Sequence, residues 1–86
     1  MRRYKIIKEE IYCDEDFFYQ IIRNNIRNFR IEERLTQQEL ADLCWLSRGY
    51  ICDIENDKKN KHFSINTLIK ISCALNKDIR NFFQWE

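Results

Sequence analysis

The chain has 86 residues, with 15 Lys and Arg against 14 Asp and Glu, a net charge of +1, and 44% hydrophobic residues. That content suits one compact core rather than two, and a core this small has little surplus stability, so pairing with a second copy would help it. Residues 1–13 carry charges throughout and do not read as a signal peptide. No apolar stretch is long enough to cross a bilayer, so no membrane association is expected and a cytoplasmic protein is.

Residues 1–13 fit helical spacing at Tyr4, Ile7 and Ile11, yet RRYKIIKEEIYC also has strand character. They are expected to form an arm that packs on the domain or on a partner subunit, with the domain proper at 14–86. Pro is absent and Gly occurs once, so turns must rely on Asn, Asp, Ser and Lys, which favours an all-helical domain with short loops. The first predicted helix runs from about Glu15 to Glu33. Its apolar residues Phe17, Phe18, Ile21, Ile22, Ile26 and Phe29 recur at helical spacing. Asp14 is its N-cap, and Glu15 and Asp16 suit the first turn.

Thr36 and Glu39 form a capping box for a second helix, Gln37 to Cys44. Ser47 caps a third, which ends near Asn56 and Asp57. Ser64 caps a fourth, with an apolar stripe of Ile65, Leu68, Ile69, Ile71, Ala74 and Leu75, and Asn76 is a left-handed residue at its end. Asp78 caps a short fifth helix holding Ile79, Phe82 and Phe83.

The four cysteines, Cys13, Cys44, Cys52 and Cys73, show no C-x-x-C spacing, and the lone His62 lies in a polar loop. Neither a metal site nor a disulfide framework is indicated. Cys44 and Cys73 are expected as small core residues of a reduced protein, and Cys52 is the thiol to watch for oxidation. There is no nucleophile–base pair, no metal-ligand cluster and no Gly-rich phosphate loop, so an enzyme is not expected and no cofactor or small-molecule ligand is implied.

Charge is unevenly spread. Acidic residues gather at Glu9, Glu10, Asp14, Glu15 and Asp16. Basic ones gather at Arg23, Arg27, Arg30, Arg34 and in KKNKH at 58–62. A near-neutral protein binds nucleic acid when its positive charge faces the phosphates, although the 58–62 run alone reads as a solvated loop. Residues 36–57 decide the matter. Leu40, Ala41 and Cys44 share one face of the second helix, and Ile51 and Ile54 share one face of the third. Arg48, Tyr50 and Asp53 point outward from the third, with side chains suited to base edges or phosphates. That is the pattern of a DNA-binding helix-turn-helix, whose second helix enters the major groove.

From about Phe17 to Phe83 the chain resembles the Cro/C1 (XRE) family of helix-turn-helix domains. The residues that carry the resemblance are Arg30, TQQELA at 36–41, SRGYICDIEN at 47–56 and SINTLIKISCALN at 64–76. It implies an all-α fold, a five-helix lambda-repressor-like bundle with a central helix-turn-helix. It also implies a recognition helix at about Ser47 to Glu55. By the same resemblance, Gln37 and Ser47 contact phosphates at helix starts, and Arg48, Gly49 and Asp53 hold base-reading positions. Arg48 suits guanine O6 and N7. Asp53 suits a cytosine amino group, or orients Arg48 or another basic side chain. Tyr50 meets a thymine methyl or a phosphate, unless it packs on its own helix. Asn56, Lys58, Lys59 and Asn60 match the loop that grips the opposite backbone, with His62 close to it. Arg30 and Glu55 match a structural salt bridge between the first and third helices.

Three departures stand out. Trp45 occupies a turn position usually held by Gly, where a left-handed backbone strains a bulky residue. Asp57 replaces the Gly expected after the third helix, a milder change because Asp accepts a left-handed backbone. The first helix and the arm before it are long. The expected function is a sequence-specific transcriptional regulator that binds double-stranded DNA as a homodimer on a palindromic operator. Phe82, Phe83 and Trp85 are candidates for the dimer contact. The alternative is a partner-dependent module, such as an antitoxin that holds a protein as well as operator DNA, for which the arm and Trp45 are the support.

Overall fold

The computed structural model describes the backbone of residues 4–7 and 10–84, and side chains from Asp14 to Gln84. Two strands, β1 (Tyr4–Ile7) and β2 (Glu10–Cys13), pair antiparallel with Tyr4 opposite Cys13 and Ile7 opposite Glu10. The ambiguity of the arm is thus resolved toward strand: its Tyr, Ile and Cys content suits a ladder. From Glu15 onward the described residues form helices and turns, and the domain is all-α. The helices are α1 (Glu15–Glu32), α2 (Gln37–Cys44), α3 (Arg48–Glu55) and α4 (Ile65–Ala74). The fifth element is a 3₁₀ turn, Ile79–Phe83, rather than an α-helix. Five residues cannot close more than a few i→i+3 bonds, so the tighter form suffices.

Each helix starts where a short oxygen-bearing side chain can take an orphan amide. Asp14 accepts from Phe17 N at 3.1 Å, Ser47 from Tyr50 N at 3.0 Å and Ser64 from Thr67 N at 3.1 Å. Thr36 and Glu39 close the capping box reciprocally, at 3.0 and 2.8 Å. Asp78 caps the 3₁₀ turn through Arg80 N, and the Arg80 side chain's hydrogen bond holds its carboxyl down at about 2.

The helix ends are more unusual. α1, α2 and α4 all stop at a left-handed residue that is not glycine: Arg34 (φ 59), Trp45 (φ 59) and Asn76 (φ 53). All three ends share one bonding pattern. After α2, Trp45 N donates to Asp42 O and Leu46 N to Ala41 O. After α1, Arg34 N donates to Ile31 O and Leu35 N to Arg30 O. After α4, Asn76 N donates to Cys73 O and Lys77 N to Ser72 O. These are Schellman motifs, which satisfy the last carbonyls of a helix. Leu35 and Leu46, each one residue past the left-handed position, are half-buried against the core. That apolar contact holds the turn closed and explains how Trp45 tolerates its backbone. The Trp45 ring contributes no packing, being 92% exposed.

The core lies where the helices converge. Ile22 and Ile26 of α1, Leu40, Ala41 and Cys44 of α2, Ile51 and Ile54 of α3, and Leu68 and Ile71 of α4 are buried together with Phe63, Leu75 at the C-cap of α4, and Phe82. Removing each large aliphatic side chain from water is worth roughly 1.5–3 kcal/mol. Ala41 is fully buried, and its small side chain allows α2 to sit close against α3. Phe82 closes one end of the core, its ring edge-on to Phe29 at 5.1 Å.

Several expectations are corrected here. α4 buries Leu68, Ile71 and Ser72, and its C-cap Leu75 is buried too, whereas Ile65 and Ile69 are exposed. Cys73 is also exposed, but Cys44 is buried and burial pushes its thiol up. Asp57 is not left-handed. α3 ends through an extended Asn56 (φ −85, ψ 109), and the left-handed residue comes later, at Asn60 (φ 46). Among the described residues no helix is long and apolar enough to cross a membrane.

Trp45 combines left-handed strain with an unpacked ring. Trp45→Gly should therefore raise unfolding stability by about 1 kcal/mol, read as a higher urea midpoint with an unchanged slope.

Candidate nucleic-acid interface

The exposed edge of α3 is built from i, i+4 spacing. Ile51, Ile54 and Glu55 turn inward and are buried. Arg48 and Gly49 are left exposed at the start, with Cys52, Asp53 and Asn56 half-exposed along the same side. Arg48 takes no hydrogen bond or ion pair from the described residues, so its five donors are free for another molecule. A Cβ added at Gly49 would meet nothing within 4 Å. Nothing in the fold requires a glycine there, although it costs helix stability. The absence of a side chain leaves that stretch of backbone open to close approach.

Beyond α3, the loop 57–62 folds back along the helix. Asn56 Oδ1 accepts from Lys58 N at 2.9 Å and Asn56 O from Lys59 N at 3.1 Å, a tight turn that keeps the loop short. Lys59 Nζ pairs with Asp53 Oδ1 at 3.1 Å, and Lys61 Nζ lies 4.9 Å from the centre of the Tyr50 ring. The basic loop and the outer edge of α3 therefore form one continuous surface. Of the two roles considered for Asp53, the structure shows it beside a basic side chain, which is Lys59 rather than Arg48. Tyr50 is half-buried against the core.

Arg30 holds α3 in place from behind. Its Nε donates to Glu55 Oε2 at 2.7 Å and its Nη2 to Glu55 Oε1 at 2.9 Å, while Nη1 donates to Leu35 O at 2.7 Å. The two side chains are 13% and 3% exposed. This is a two-pronged, charge-assisted pair in a nearly dry setting, the geometry in which Arg cannot be replaced by Lys without loss. Gln37, expected to contact a phosphate at the start of α2, turns its side chain inward: its Nε2 donates to Glu55 Oε1 at 3.1 Å. Its amide thereby ties the first turn of α2 to the end of α3.

Residues of α1 anchor the far end of the loop from beneath. His62, expected beside the phosphate-gripping loop, stacks its ring on Tyr19 at 4.0 Å, and its Nε2 lies 3.0 Å from Asp16 Oδ1. Hydrogen bonds from Asn60 and His62 hold the Asp16 carboxyl below its usual range. Tyr19 donates its hydroxyl to Phe63 O at 2.8 Å. Arg23, counted among the basic clusters, is fully buried. Its burial is foreshadowed by spacing, since it follows Tyr19 by four residues and precedes Ile26 by three. Burial draws its guanidinium below its usual range, against the opposing pull of Asp57 and Asp16. Of the candidate dimer residues, Phe82 is fully buried and is a core residue, Phe83 is 41% exposed, and Trp85 lies outside the described residues. Among the described residues no cluster of ligands could hold a metal ion.

Residues 26–82 match the model of the helix-turn-helix family HTH_3. The chain belongs to this family. It is a family of DNA-binding transcription regulators, not of enzymes. The chain is 33% identical over 60 residues to the control protein C.SmaI of Serratia marcescens, covering 70% of this chain and 69% of that one. It is 41% identical over 54 residues to an immunity repressor of Bacillus phage phi105, covering 63% of this chain and 36% of the repressor. Its fold is similar to that of the restriction-modification controller protein C.AhdI of Aeromonas hydrophila. The TM-score is 0.69 and the identity 26%, over 76% of this chain and 96% of that chain.

The Arg30–Glu55 pair gives a direct stability test. Glu55→Ala leaves Arg30 nearly buried without its carboxylate and should cost about 3 kcal/mol. Lys59→Ala, which breaks an exposed pair, should cost less than about 1 kcal/mol. Urea titration of both variants reads the difference.

Proposed function

We propose that this DNA-binding regulator reads a specific duplex sequence with α3. Residues 14–86 would serve as the DNA-binding unit, with the hairpin arm before them. The carrying observation is the continuous surface of the α3 edge and the 57–62 loop, with Arg48 unpaired and Gly49 open at its leading end. In this reading α3 lies in the major groove, Arg48 takes a guanine edge and Gly49 lets the backbone approach closely. Ser47 and the first amides of α3 meet a phosphate, as do Tyr50, Asn56, Lys58, Lys59 and Asn60 along the loop side. Asp53 trades Lys59 for a cytosine amino group or keeps it oriented. Gln37 acts through Glu55, and through its own backbone amide at the start of α2.

The unit acts as a homodimer on a palindromic site whose half-sites lie one helical turn apart. Support comes from the apolar surface around Phe83. That residue and the exposed Ile65 line a cleft of about 350 Å³ together with Phe18, Ile22 and Leu68. A second copy covering it would bury apolar area that a chain of this length otherwise leaves wet. Occupancy of a promoter by such a dimer excludes polymerase.

Selection from a random duplex library, followed by salt titration of the winning site, tests the reading. A palindrome bound tightly by the chain alone supports it. Enrichment of nothing beyond salt-sensitive random DNA overturns it in favour of a partner-dependent module. On the selected site, Arg48→Ala should lose about 1–3 kcal/mol and relax preference at one guanine position. Equal losses on random DNA would reduce Arg48 to a phosphate contact. Lys58→Ala should weaken binding to all sequences and lower the salt slope by about one unit, measured by the same titration.

A further inference from the structure

Arg23 is fully buried in the middle of α1, and among the described residues it has no carboxylate within ion-pair distance. A buried guanidinium is costly unless its donors are matched. Here they are matched mainly by backbone. Nε donates to Ile54 O at 2.7 Å and Nη2 to Lys61 O at 2.7 Å, with Nη1 reaching Gln20 Oε1 at 3.4 Å. Ile54 lies in the last turn of α3, where helix carbonyls carry partial negative charge. Lys61 lies near the far end of the basic loop. One rigid fork therefore fixes where the loop leaves α3 and where it returns to α1. Neighbouring positions of α1 grip the same segment, since Asp16 and Tyr19 hold His62, and Tyr19 bonds Phe63 O.

We propose that Arg23 is a positioning residue for DNA binding, setting the 57–61 loop at the height along α3 from which Lys58 and Lys59 reach the phosphate backbone. The inference rests on α3 being the recognition helix. It differs from a purely structural role in its consequence. A residue that only stabilises the fold changes the fraction folded, and leaves the number of phosphates neutralised by each folded molecule unchanged. A residue that sets the loop changes that number, and the salt dependence of binding counts it.

The experiment uses the full chain carrying Arg23→Lys, which keeps the charge and loses the fork, under conditions where circular dichroism shows it folded. Binding is titrated against the selected duplex and a random duplex over a range of salt. The expected result is a loss of about tenfold or more on both duplexes and a salt slope smaller by about one or two units. The preferred sequence should not change. Lys58→Ala, which costs about one unit in the parent chain, should cost almost nothing further in the Arg23→Lys background. An unchanged slope in the folded variant overturns the proposal, as does a Lys58→Ala effect that simply adds. Arg23→Gln is the second variant, and failure of both to fold also overturns it, because Arg23 would then be a requirement of the fold. A parent chain that binds neither duplex fails the DNA reading itself, before any variant is made.

Discussion

Arg30 is the side chain on which the arrangement of the first three helices depends. One guanidinium reaches Glu55 near the end of α3 and the Leu35 carbonyl in the turn that leads to α2. Gln37 adds a bond from α2 to the same carboxylate. Three helices and a turn thus meet at one ion pair that is almost dry. Apolar packing alone would let α3 roll, because Ile51 and Ile54 grip the core with little directional preference. The two-pronged pair sets the rotation, and rotation decides which residues of α3 face outward. The exposed set of Arg48, Gly49 and Asp53 therefore follows from a contact on the opposite side of the helix.

The same division of labour recurs around the loop. α1 supplies Asp16, Tyr19 and Arg23 to hold residues 54–63 from beneath, while the lysines stay on the outside. A net charge of +1 is compatible with a nucleic-acid surface because the charges are unevenly placed, with Lys58, Lys59 and Lys61 gathered beside α3. Arg23 and Arg30 work from inside, on the loop and on α3, and Lys58, Lys59 and Lys61 stand on the surface. Counting charges along the chain cannot separate the two groups, whereas burial does.

Local physics made most of the fold legible in the sequence. Capping depends on a few neighbouring residues, so Thr36 with Glu39, and Ser47, Ser64 and Asp78, marked helix starts that the structure reproduces. The Arg30–Glu55 pair followed from the family resemblance. What stayed hidden depends on distant partners. The inward turn of Gln37 needs Glu55, eighteen residues away, and although spacing puts Arg23 on the inner face of α1, its partners, the carbonyls of Ile54 and Lys61, lie far along the chain. The stripe expected for α4 was too wide, since only the residues facing α2 and the core are covered, which leaves Ile65, Ile69 and Cys73 outside. The left-handed residue moved from Asp57 to Asn60 because α3 ends through an extended residue.

The caps differ in one respect that bears on electrostatics. α1 and the 3₁₀ turn begin with carboxylates, Asp14 and Asp78, whereas α3, like α4, begins with a neutral serine hydroxyl and has no acidic residue in its first turn. An aspartate would satisfy the Tyr50 amide as well as Ser47 does, but it would also neutralise the positive end of the helix dipole. The hydroxyl satisfies the amide and leaves that end bare. α3 thus presents, at the tip beside Arg48, a positive potential that comes from the backbone itself and is absent from any count of charged residues.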